Sequence, residues 1–349
     1  MDIEGNRMGK RATITDLARQ AGVSVATVDR VLNRRLPVRE DTALRVVAAA
    51  ESIGYHATGL LKQRMTEVRP CTMGFLLQKR QDDFYRALAN ELTNATKSAP
   101  SIRGKAIVEF MDELVPSFIA AKIREIGARA DVLAVVAVDH PLVNEAVEEI
   151  VAKGKPVFTL LSDLTTPARA GYIGVDSRKA GRTAAWAISR LAKKPGKIGI
   201  LLGSHRYLSQ ETAEISFRSY MRENAPQFQV LEPLVNLDDQ RIAYEAVEDM
   251  ISSNADLVGI YMAGGGMEGL VRALRDEDAG DRIIAVCNEL IPVTRSALID
   301  GTIDMVLATP VAALASQAVA AMAQAAASGR LGGAAPVQLP AEIFVSENV

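Results

Sequence analysis

Two different hydrophobic patterns divide the chain near residue 70. Before that point, apolar residues recur at intervals of three and four, the spacing that places them on one face of short helices. After it, uninterrupted apolar runs alternate with amphipathic stretches, which is typical of buried parallel strands covered by helices. The sequence of 349 residues therefore predicts an all-α head followed by an α/β body.

The head pattern begins with a helix that carries its own start and stop signals. Thr13 can cap it, Asp16 can complete a capping box, and Gly22 can end it. Ser24 then caps a second helix after a very short turn. A third helix, from about residue 39 to 53, would complete a small core. The apolar residues assigned to that core are Leu17, Ala21, Val28, Val31, Leu32, Leu44, Val47, Ala48 and Ile53.

One face of the second helix has no partner in this arrangement. It reads Val25, Ala26, Asp29 and Arg30. Short side chains on the first turn of a helix allow it to enter the major groove of DNA, and its free N–H groups suit phosphate oxygens. The first 69 residues carry 12 Lys/Arg against 8 Asp/Glu, whereas the rest of the chain is acidic. A basic head on an acidic body agrees with a polyanionic partner.

The body contains ten strand-like runs, too many for one small sheet. They predict two doubly wound parallel-sheet subdomains, with the boundary in the segment YIGVDSRKAGRTAAWAISRLAKKPGKIGILLGS. The predicted organisation is a head at 1–56, a linker at 57–69 and a bilobed body at 70–349. Within the body, the first subdomain would cover about 70–175 and the second about 195–310, with the C-terminal residues crossing back.

Open α/β sheets bind ligands beyond the carboxyl ends of their strands. Polar or aromatic residues that follow the predicted strands are therefore candidates for the walls of a cleft. They are Phe84, Asp139, Asp163, Asp176, Asn288 and Glu289. The glycine run at 263–269 lacks the lysine of a phosphate-binding loop and is interpreted as a tight, ligand-facing turn that includes Gly265.

The composition argues against several other classes of protein. No nucleophile with a base, metal-ligand set or P-loop stands out, so no catalytic residue, metal or cofactor is predicted. Cys71 and Cys287 lie in apolar runs and are expected to be buried thiols. No apolar run reaches the length of a membrane span and no signal sequence is evident, which predicts a cytoplasmic protein. The alternatives are a transport-linked solute-binding protein and, less favoured, a doubly wound enzyme.

The head closely resembles the lactose-repressor (LacI/GalR) family of bacterial transcription regulators. The family pattern T-(I/L)-x-D-(V/L)-A-x-x-A-G-V-S-x-x-T-V-(S)-R-V-(L/V)-N is nearly unbroken in TITDLARQAGVSVATVDRVLN. The resemblance implies a helix-turn-helix in which Val25, Ala26 and Arg30 read base edges. It also implies that phosphates are contacted by Thr13, Ser24, Thr27 and Asn33. Asp29 replaces the usual serine, which disfavours direct phosphate contact at that position, and its carboxylate could instead orient Arg30.

The resemblance loosens at the family's hinge, where a short helix wedges an apolar side chain into the minor groove. The corresponding residues read ATGLLKQRM, with Leu61, Arg64 and Met65 as the minor-groove candidates. Two interpretations stay open for this segment, a wedge helix and a plain linker.

The body resembles the family's sensor domain, which is similar to periplasmic sugar-binding proteins. The resemblance implies that Phe84 stacks on a ligand ring, that Asp163 and Asp176 lie at or beside the cleft, and that Asn288 replaces a carboxylate that takes sugar hydroxyls. Three positions at or near exchanged polar groups also join the predicted effector site, Glu214, Gly265 and Thr309, beside the strand-end candidate Glu289. A different ligand from the better-known members is therefore expected.

The function implied by these resemblances is that of an allosteric transcriptional regulator, by expectation a repressor. Its effector would be a sugar, polyol or sugar acid. The partners would be a near-palindromic operator and a second copy of the chain in a homodimer. No tetramerising helix and no membrane contact are expected.

Overall fold

A computed structural model describes residues 12–33, 38–56, 58 and 69–349. The chain divides into two compact units. One holds residues 1–70 together with Lys97–Gly104, and the other holds Cys71–Thr96 and Lys105–Val349. The head belongs to the first unit, and almost all of the body belongs to the second.

Within residues 12–33 and 38–56, the head forms three helices, α1 (Ile14–Ala21), α2 (Val25–Asn33) and α3 (Glu40–Ser52). The capping box predicted for α1 is present, since the Asp16 N–H donates to Thr13 Oγ1 at 3.3 Å and the Thr13 N–H donates to Asp16 Oδ2 at 3.0 Å. Gly22 ends α1 with a φ of 64°, a left-handed conformation that glycine adopts without strain. The turn into α2 is therefore fixed by local chemistry.

The head core is small and depends on close helix packing. Its buried residues are Leu17, Ala18, Ala21, Val28, Val46, Ala49, Ala50 and Tyr55. The predicted contribution of α3 was partly wrong, because Leu44 and Ala48 are exposed. The buried stripe of α3 runs through Val46, Ala49 and Ala50 instead, two alanines that allow α1 to approach closely. Either stripe satisfies the helical period, so packing decided which one is buried.

The first lobe of the body is a six-stranded sheet with the order β12–β5–β4–β3–β1–β2, whose recorded pairings are parallel. Helices cover its strands and connect them. Its elements are β1 (Arg69–Gln78), α4 (Asp83–Ser98), β2 (Ile102–Met111), α5 (Pro116–Arg129), β3 (Val132–Val135), α6 (Pro141–Ala152), β4 (Val157–Leu160), β5 (Gly171–Val175), α12 (Val311–Ser328) and β12 (Val337–Leu339).

The second lobe is a seven-stranded sheet in which β13–β11–β10–β9–β6–β7 are neighbours and β8 also pairs with β6. Only β13 runs antiparallel. Its elements are α7 (Ser177–Leu191), β6 (Lys197–Leu202), α8 (Leu208–Asn224), β7 (Gln229–Val230), β8 (Leu234–Val235), α9 (Gln240–Ser253), β9 (Leu257–Met262), α10 (Met267–Asp276), β10 (Ile284–Asn288), α11 (Pro292–Ile299), β11 (Met305–Ala308) and β13 (Glu342–Phe344).

The second sheet departs from the sequence prediction in two places. The run FQVLEPL contains two short strands rather than one. Pro233 lies between them and has no N–H to donate to a ladder, which interrupts the pairing. The two C-terminal strands β12 and β13 were not predicted.

Three segments of chain connect the two lobes. They join β5 to α7, β11 to α12, and β12 to β13. The change of lobe after β5 follows from burial: Ala184, Ala185 and Ile188 of α7 pack into the core of the second sheet. The helical head and the parallel α/β body confirm the predicted fold class.

Helix α12 is the one helix among the described residues that is long and apolar enough to cross a membrane by length and composition alone. It packs against β3 and β5 of the first sheet. The side chains that it buries there include Leu314, Val319 and Met322. This packing is that of a core helix, whose alanines permit a close approach to the sheet.

Candidate functional site: a helix face in the head and a cleft in the body

The first candidate surface is the N-terminal face of α2. Val25 is 43% exposed, and Ala26 and Arg30 are exposed beside it. Arg30 makes no hydrogen bond or ion pair with the residues that the structure describes. The three side chains predicted to read bases therefore lie within two turns of one helix, with a guanidinium free to donate.

The polar side chains around this face are already held by local bonds. Ser24 Oγ accepts from the Thr27 N–H at 3.1 Å, and the two hydroxyl oxygens lie 2.8 Å apart. The Asn33 amide donates to Asp29 Oδ1 at 2.6 Å. Asp29 thus bonds to Asn33 rather than to Arg30, which corrects the expectation that it orients the arginine. A carboxylate four residues before an amide on a helix lies within reach of it, whereas adjacent residues diverge.

The hinge candidates Leu61, Arg64 and Met65 lie outside the described residues. Thr13, the fourth predicted phosphate contact, is exposed at the start of α1 and donates its hydroxyl to Asp16 at 2.6 Å. Its main structural role is therefore to cap α1.

The second candidate surface is a cavity between the two lobes of the body. It has a volume of about 140 Å³, well above the ~10–15 Å³ of this measure that a cavity needs to hold one water molecule. It lies at the carboxyl ends of strands from both sheets, including β1, β5, β9, β10 and β11. A space of this size suits one small ring or a short polyol rather than an oligosaccharide.

Hydrogen bonds join the two lobes beside the cavity. Gln78 of the first lobe donates to the Tyr207 hydroxyl of the second at 2.7 Å. The Lys79 ammonium donates to the carbonyl oxygens of Leu237 and Asp238 at 3.3 and 2.5 Å. The side chain of Tyr207 is itself buried in the core of the first lobe. The two lobes are therefore joined beside the cavity by both polar bonds and the apolar packing of Tyr207.

Glu289 and Thr309 form one wall of the cavity. Glu289 follows β10 with a φ of 62°. Its carboxylate accepts from the Thr309 hydroxyl at 2.6 Å and from the Thr309 N–H at 2.9 Å. Burial raises the pKa of Glu289 to about 7, the bonds from Thr309 oppose that rise, and the nearby charge of Asp82 adds to it. The sequence predicted both residues for the effector site, and both line the cavity.

Two further carboxylates line the same cavity. Asp82 accepts from the backbone N–H groups of Phe84 and Tyr85 at 2.9 and 3.3 Å. Asp238 accepts from the Gly265 N–H at 2.6 Å. Burial is the main cause that raises the pKa of both carboxyl groups, with the backbone hydrogen bonds opposing it.

Two polar atoms at the cavity have no partner among the described residues. The Asn288 amide nitrogen donates to the Ala263 carbonyl at 2.8 Å, but its buried Oδ1 accepts nothing. The Tyr261 hydroxyl is also buried and unpaired, and its ring stacks on Phe217 with centroids 5.2 Å apart. An unpaired buried polar group is costly, so such atoms at a cavity are natural contacts for a ligand.

The glycine turn at 263–269 faces the cavity, as the sequence predicted. Gly264 and Gly265 line it, and Gly266 starts α10 with a φ of 93°. A Cβ on Gly265 would lie 2.9 Å from the Cβ of Asp238, so the close approach requires glycine. Five predicted residues therefore line the same cavity: Phe84, Gly265, Asn288, Glu289 and Thr309.

Asp139 and Asp163 are not among the residues that line the cavity, which corrects two predictions. Asp139 accepts from the Thr165 N–H at 2.9 Å and fastens that loop. Asp163 receives two bonds from the guanidinium of Arg169, at 2.5 and 2.6 Å. Both follow strands, but their carboxylates are consumed by neighbouring loops of their own lobe.

Asp176 and Glu214 also lie off the cavity wall. Asp176 caps α7 by accepting from the Lys179 N–H at 3.1 Å. Glu214 forms an ion pair with Arg218 one helical turn later. An N-cap and a helical pair at a spacing of four residues are common structural uses of these residue types, and both explain the residues fully.

Sequence reasoning missed several residues that line the cavity: Gln78, Lys79, Asp82, Tyr85, Gln210, Asp238 and Tyr261. Gln78, Lys79 and Asp82 stand at the carboxyl end of β1, and Asp238 follows β8. The same strand-end rule that selected Asn288 would have found these four. Gln210 and Tyr261 are brought in by the closure of the lobes and by the depth of the cavity, which no local signal carries.

The chain matches two family models. Residues 73–330 match the model described as the periplasmic binding protein domain, and residues 13–58 match the model described as bacterial regulatory proteins, lacI family. The second match covers α1, α2 and α3. The first covers both sheets up to the end of α12.

Curated relatives are transcriptional regulators and not enzymes. The chain is 28% identical over 203 residues to the HTH-type transcriptional regulator MalR of Streptomyces coelicolor, covering 56% of this chain and 55% of MalR. It is 42% identical over 80 residues to GalR of Escherichia coli, covering 22% of each, and 42% identical over 73 residues to RegA of Clostridium saccharobutylicum, covering 21% of this chain and 22% of RegA. The chain thus spans about half of MalR and a fifth of the other two.

Solved structures of solute-binding proteins share the fold of the body. An ABC transporter solute-binding protein of Agrobacterium vitis, bound with α-D-tagatopyranose, has a TM-score of 0.72 at 19% identity and covers 80% of this chain and 95% of that chain. The arabinose-binding protein AraP of Geobacillus stearothermophilus has a TM-score of 0.67 at 15% identity, covering 80% and 98%. At such identities the likeness concerns the fold.

Proposed function

The chain belongs to the bacterial regulatory proteins of the lacI family, with a periplasmic binding protein domain as its body, and we propose that it is an effector-controlled transcriptional regulator. Its head would bind operator DNA through α2, and its cleft would bind a small polyhydroxylated effector. The observation that carries the proposal is the presence, in one chain, of an exposed helix-turn-helix face and a ligand-sized interlobe cavity. A solute-binding protein would have no use for the head.

The α2 face supports major-groove binding in detail. Val25 and Ala26 are short enough to allow the helix to enter the groove, and the methyl groups suit a thymine C5-methyl contact. Arg30 is free to pair with the O6 and N7 of a guanine. Ser24, Thr27, Thr13 and Asn33 would hold phosphates and set the register, with Asn33 oriented by Asp29.

The first experiment is a footprint on the DNA upstream of the protein's own gene, followed by selection from random sequences. Arg30→Ala should lower the affinity for the selected site by roughly 1–3 kcal/mol and relax the preference at one base pair. Arg222→Ala, an exposed arginine of α8 in the body, is the matched control and should leave the footprint unchanged. Absence of any selected sequence would overturn the proposal.

Control by the effector would follow from linkage. A ligand that binds one arrangement of the lobes better than another shifts the population towards it, and operator affinity changes by the same coupling free energy. A ligand-dependent change of closure would make or break the hydrogen bonds from Gln78 and Lys79 to the second lobe. A coupling of about 1–3 kcal/mol is sufficient for regulation.

A small sugar or polyol is the effector class that the cavity supports. The volume is small, Phe84 and Tyr85 supply aromatic surface, and the remaining wall is rich in hydrogen-bonding groups. The tagatopyranose and arabinose of proteins with the same fold agree with this class. Phe84→Ala should abolish the response of operator binding to the effector and leave operator binding itself intact, as measured by fluorescence anisotropy of labelled DNA.

The finer features of the proposal concern assembly and place of action. The protein would act as a cytoplasmic homodimer on a near-palindromic operator, because two heads related by a two-fold axis require two related half-sites. It would repress until the effector binds. Leu61, Arg64 and Met65 would contact the minor groove. Sedimentation of the free chain and of its operator complex tests the stoichiometry, and a single chain on an asymmetric site would contradict it.

A further inference from the structure

The ionisable groups that line the interlobe cavity are unequal in sign. Three carboxylates line it, those of Asp82, Asp238 and Glu289. Among the described residues the one cationic side chain in the lining is Lys79, and no arginine takes part. The Lys79 ammonium is directed to the carbonyl oxygens of Leu237 and Asp238, within the contact that joins the lobes. The lining therefore holds more acidic than basic side chains, and its negative charge increases as the pH rises through about 7, where Glu289 ionises.

None of the three carboxylates forms an ion pair with another described residue. Their hydrogen bonds come from neutral donors, namely backbone N–H groups, the Thr309 hydroxyl and the Gln210 side chain. The charge of Lys79 acts on Asp82 and Asp238 without an ion pair. Two other partly buried acids of the body are paired, Asp163 with Arg169 and Glu214 with Arg218. Buried carboxylates are normally compensated by a cation, so the unpaired set at the cavity lacks a counter-charge that a ligand can bring.

The place where an anionic ligand would be expected is already filled. The glycine turn before α10 presents N–H groups at a helix N-terminus, an arrangement that attracts anions. The Gly265 N–H of that turn donates to Asp238 Oδ1 at 2.6 Å. A ligand carboxylate would have to displace this bond and approach Asp238 and Glu289. Like charges at such distances repel, which argues against a sugar acid.

The unpaired neutral atoms at the cavity agree with the charged ones. Asn288 Oδ1 can only accept a hydrogen bond, and the Tyr261 hydroxyl can accept or donate one. The wall therefore presents an excess of acceptors and calls for a ligand rich in donors. Hydroxyl groups supply donors, and an ammonium supplies three together with the missing charge.

We propose that the effector of the cleft is a cationic polyhydroxylated molecule, an amino sugar or amino polyol, whose ammonium group contacts the carboxylates of Asp82 and Glu289. This inference rests on the proposed function of the cleft as the effector site and specifies its ligand class. The described residues hold no cluster of three His, Cys, Asp or Glu side chains that could bind a metal ion.

The test uses the full-length protein and matched ligands that differ in one group. One set has a common six-carbon chain: D-glucamine, D-sorbitol and D-gluconate. A second compares D-glucosamine, D-galactosamine and D-mannosamine with the corresponding neutral hexoses and with D-glucuronate. Calorimetry should give at least one amine that binds about tenfold or more tightly than its neutral partner, since a charge-assisted bond is stronger than a neutral one. The acids should bind least.

Variants assign the preference to the named carboxylates. Glu289→Gln and Asp82→Asn keep the shape of the wall and should reduce the amine preference to within about threefold, with little change for the neutral partner. Glu277→Gln, an exposed residue after α10, is the matched control and should retain the full preference. Circular dichroism verifies that each variant is folded.

Several results would overturn the inference. They are equal or tighter binding of the neutral sugars, tighter binding of the acids, tighter binding of putrescine, which has amines without hydroxyls, or no binding of any amine at about 10 mM. Footprinting with the same ligands separates the two proposals. Amine binding that leaves operator affinity unchanged would uphold the ligand class and contradict regulation, whereas a response to neutral sugars alone would do the reverse.

Discussion

The two candidate binding surfaces are opposite in charge and in the state of their polar groups. On α2, the cation Arg30 is free, and the surrounding hydroxyl and amide groups bond to residues three or four positions away. In the cleft, the three carboxylates form no ion pair with a described residue, and the unpaired atoms of Asn288 and Tyr261 are buried. The one described cation of the lining, Lys79, donates to carbonyl oxygens of the second lobe. One surface suits a polyanion in water, and the other suits a small donor-rich ligand in a closed space.

This difference follows from how each surface meets solvent. Polar groups on an exposed helix can bond to water whenever their ligand is absent, so the head needs only local order. Groups in a closed cleft lose most of that water, and an unpaired acceptor or charge there costs free energy until a partner arrives. A ligand of the cleft therefore gains affinity by removing that cost, whereas a ligand of the head does not.

The largest expected contrast is the dependence on salt. Operator binding should fall roughly a thousandfold between about 50 and 200 mM salt, because phosphate contacts release condensed counterions. Amine binding in the cleft should fall less than about threefold over the same range, since it involves one charge in a partly shielded site. Anisotropy and calorimetry at matched salt concentrations measure the two slopes. Equal slopes would break the comparison.

The next effect concerns pH. Because burial raises the pKa of Glu289 to about 7, its carboxyl is mostly protonated at pH 6 and mostly ionised at pH 8. D-glucamine, an alkyl amine with a pKa near ~10 by analogy with lysine, should bind up to about tenfold more tightly at pH 8. The raised pKa also predicts that the free protein loses stability as pH rises from 4.5 through about 7.

Three titratable groups interact electrostatically with Glu289: Asp82, Tyr85 and Cys287. Burial also raises the pKa of Asp82, so its carboxyl, like that of Glu289, stays protonated to a higher pH than usual. Burial raises the pKa of Tyr85 and Cys287 and keeps both neutral in this range. Glu289→Gln should flatten the pH profile of D-glucamine binding; a profile that keeps its slope in that variant would assign the titration to another group.

A smaller effect is expected from the cap of α1. Thr13→Ala removes both the hydroxyl that accepts from Asp16 N–H and one predicted phosphate contact, and it should cost about 1 kcal/mol of local stability. Hydrogen exchange in α1 of the full chain should accelerate roughly fivefold. Thr15→Ala, at an exposed position inside the same helix, is the control and should not accelerate it.

The smallest effect should come from Tyr261→Phe. Its hydroxyl has no partner in the described part of the chain, so removing it should leave the stability of the free protein unchanged or raise it by up to about 1 kcal/mol. Tyr172→Phe is the matched control, because the Tyr172 hydroxyl donates to the Leu161 or Val175 carbonyl at 3.2 and 3.3 Å. It should lose about 1 kcal/mol in urea unfolding. Equal losses in both variants would mean that the Tyr261 hydroxyl is satisfied.

The cleft shows where prediction by strand ends works and where it fails. The strand-end rule predicts Asn288 and Glu289, which stand at the carboxyl end of a buried strand of the second sheet, and both line the cavity. Asp163 obeys the same rule, yet Arg169 occupies its carboxylate. The rule identifies the edge of a sheet, but it does not identify which side chain at that edge has been bonded by a loop.

The sequence by itself determined the helical head, its cap, the exposed face of α2 and the parallel α/β class of the body. These features depend on periodicity and on contacts between residues a few positions apart. Only the tertiary structure decided which stripe of α3 is buried, that β12 and β13 complete the two sheets, and that Asp82, Asp238 and Glu289 share one cavity without an ion pair to any described residue. Those outcomes depend on packing and electrostatic contacts between segments far apart in the chain, which no local pattern encodes.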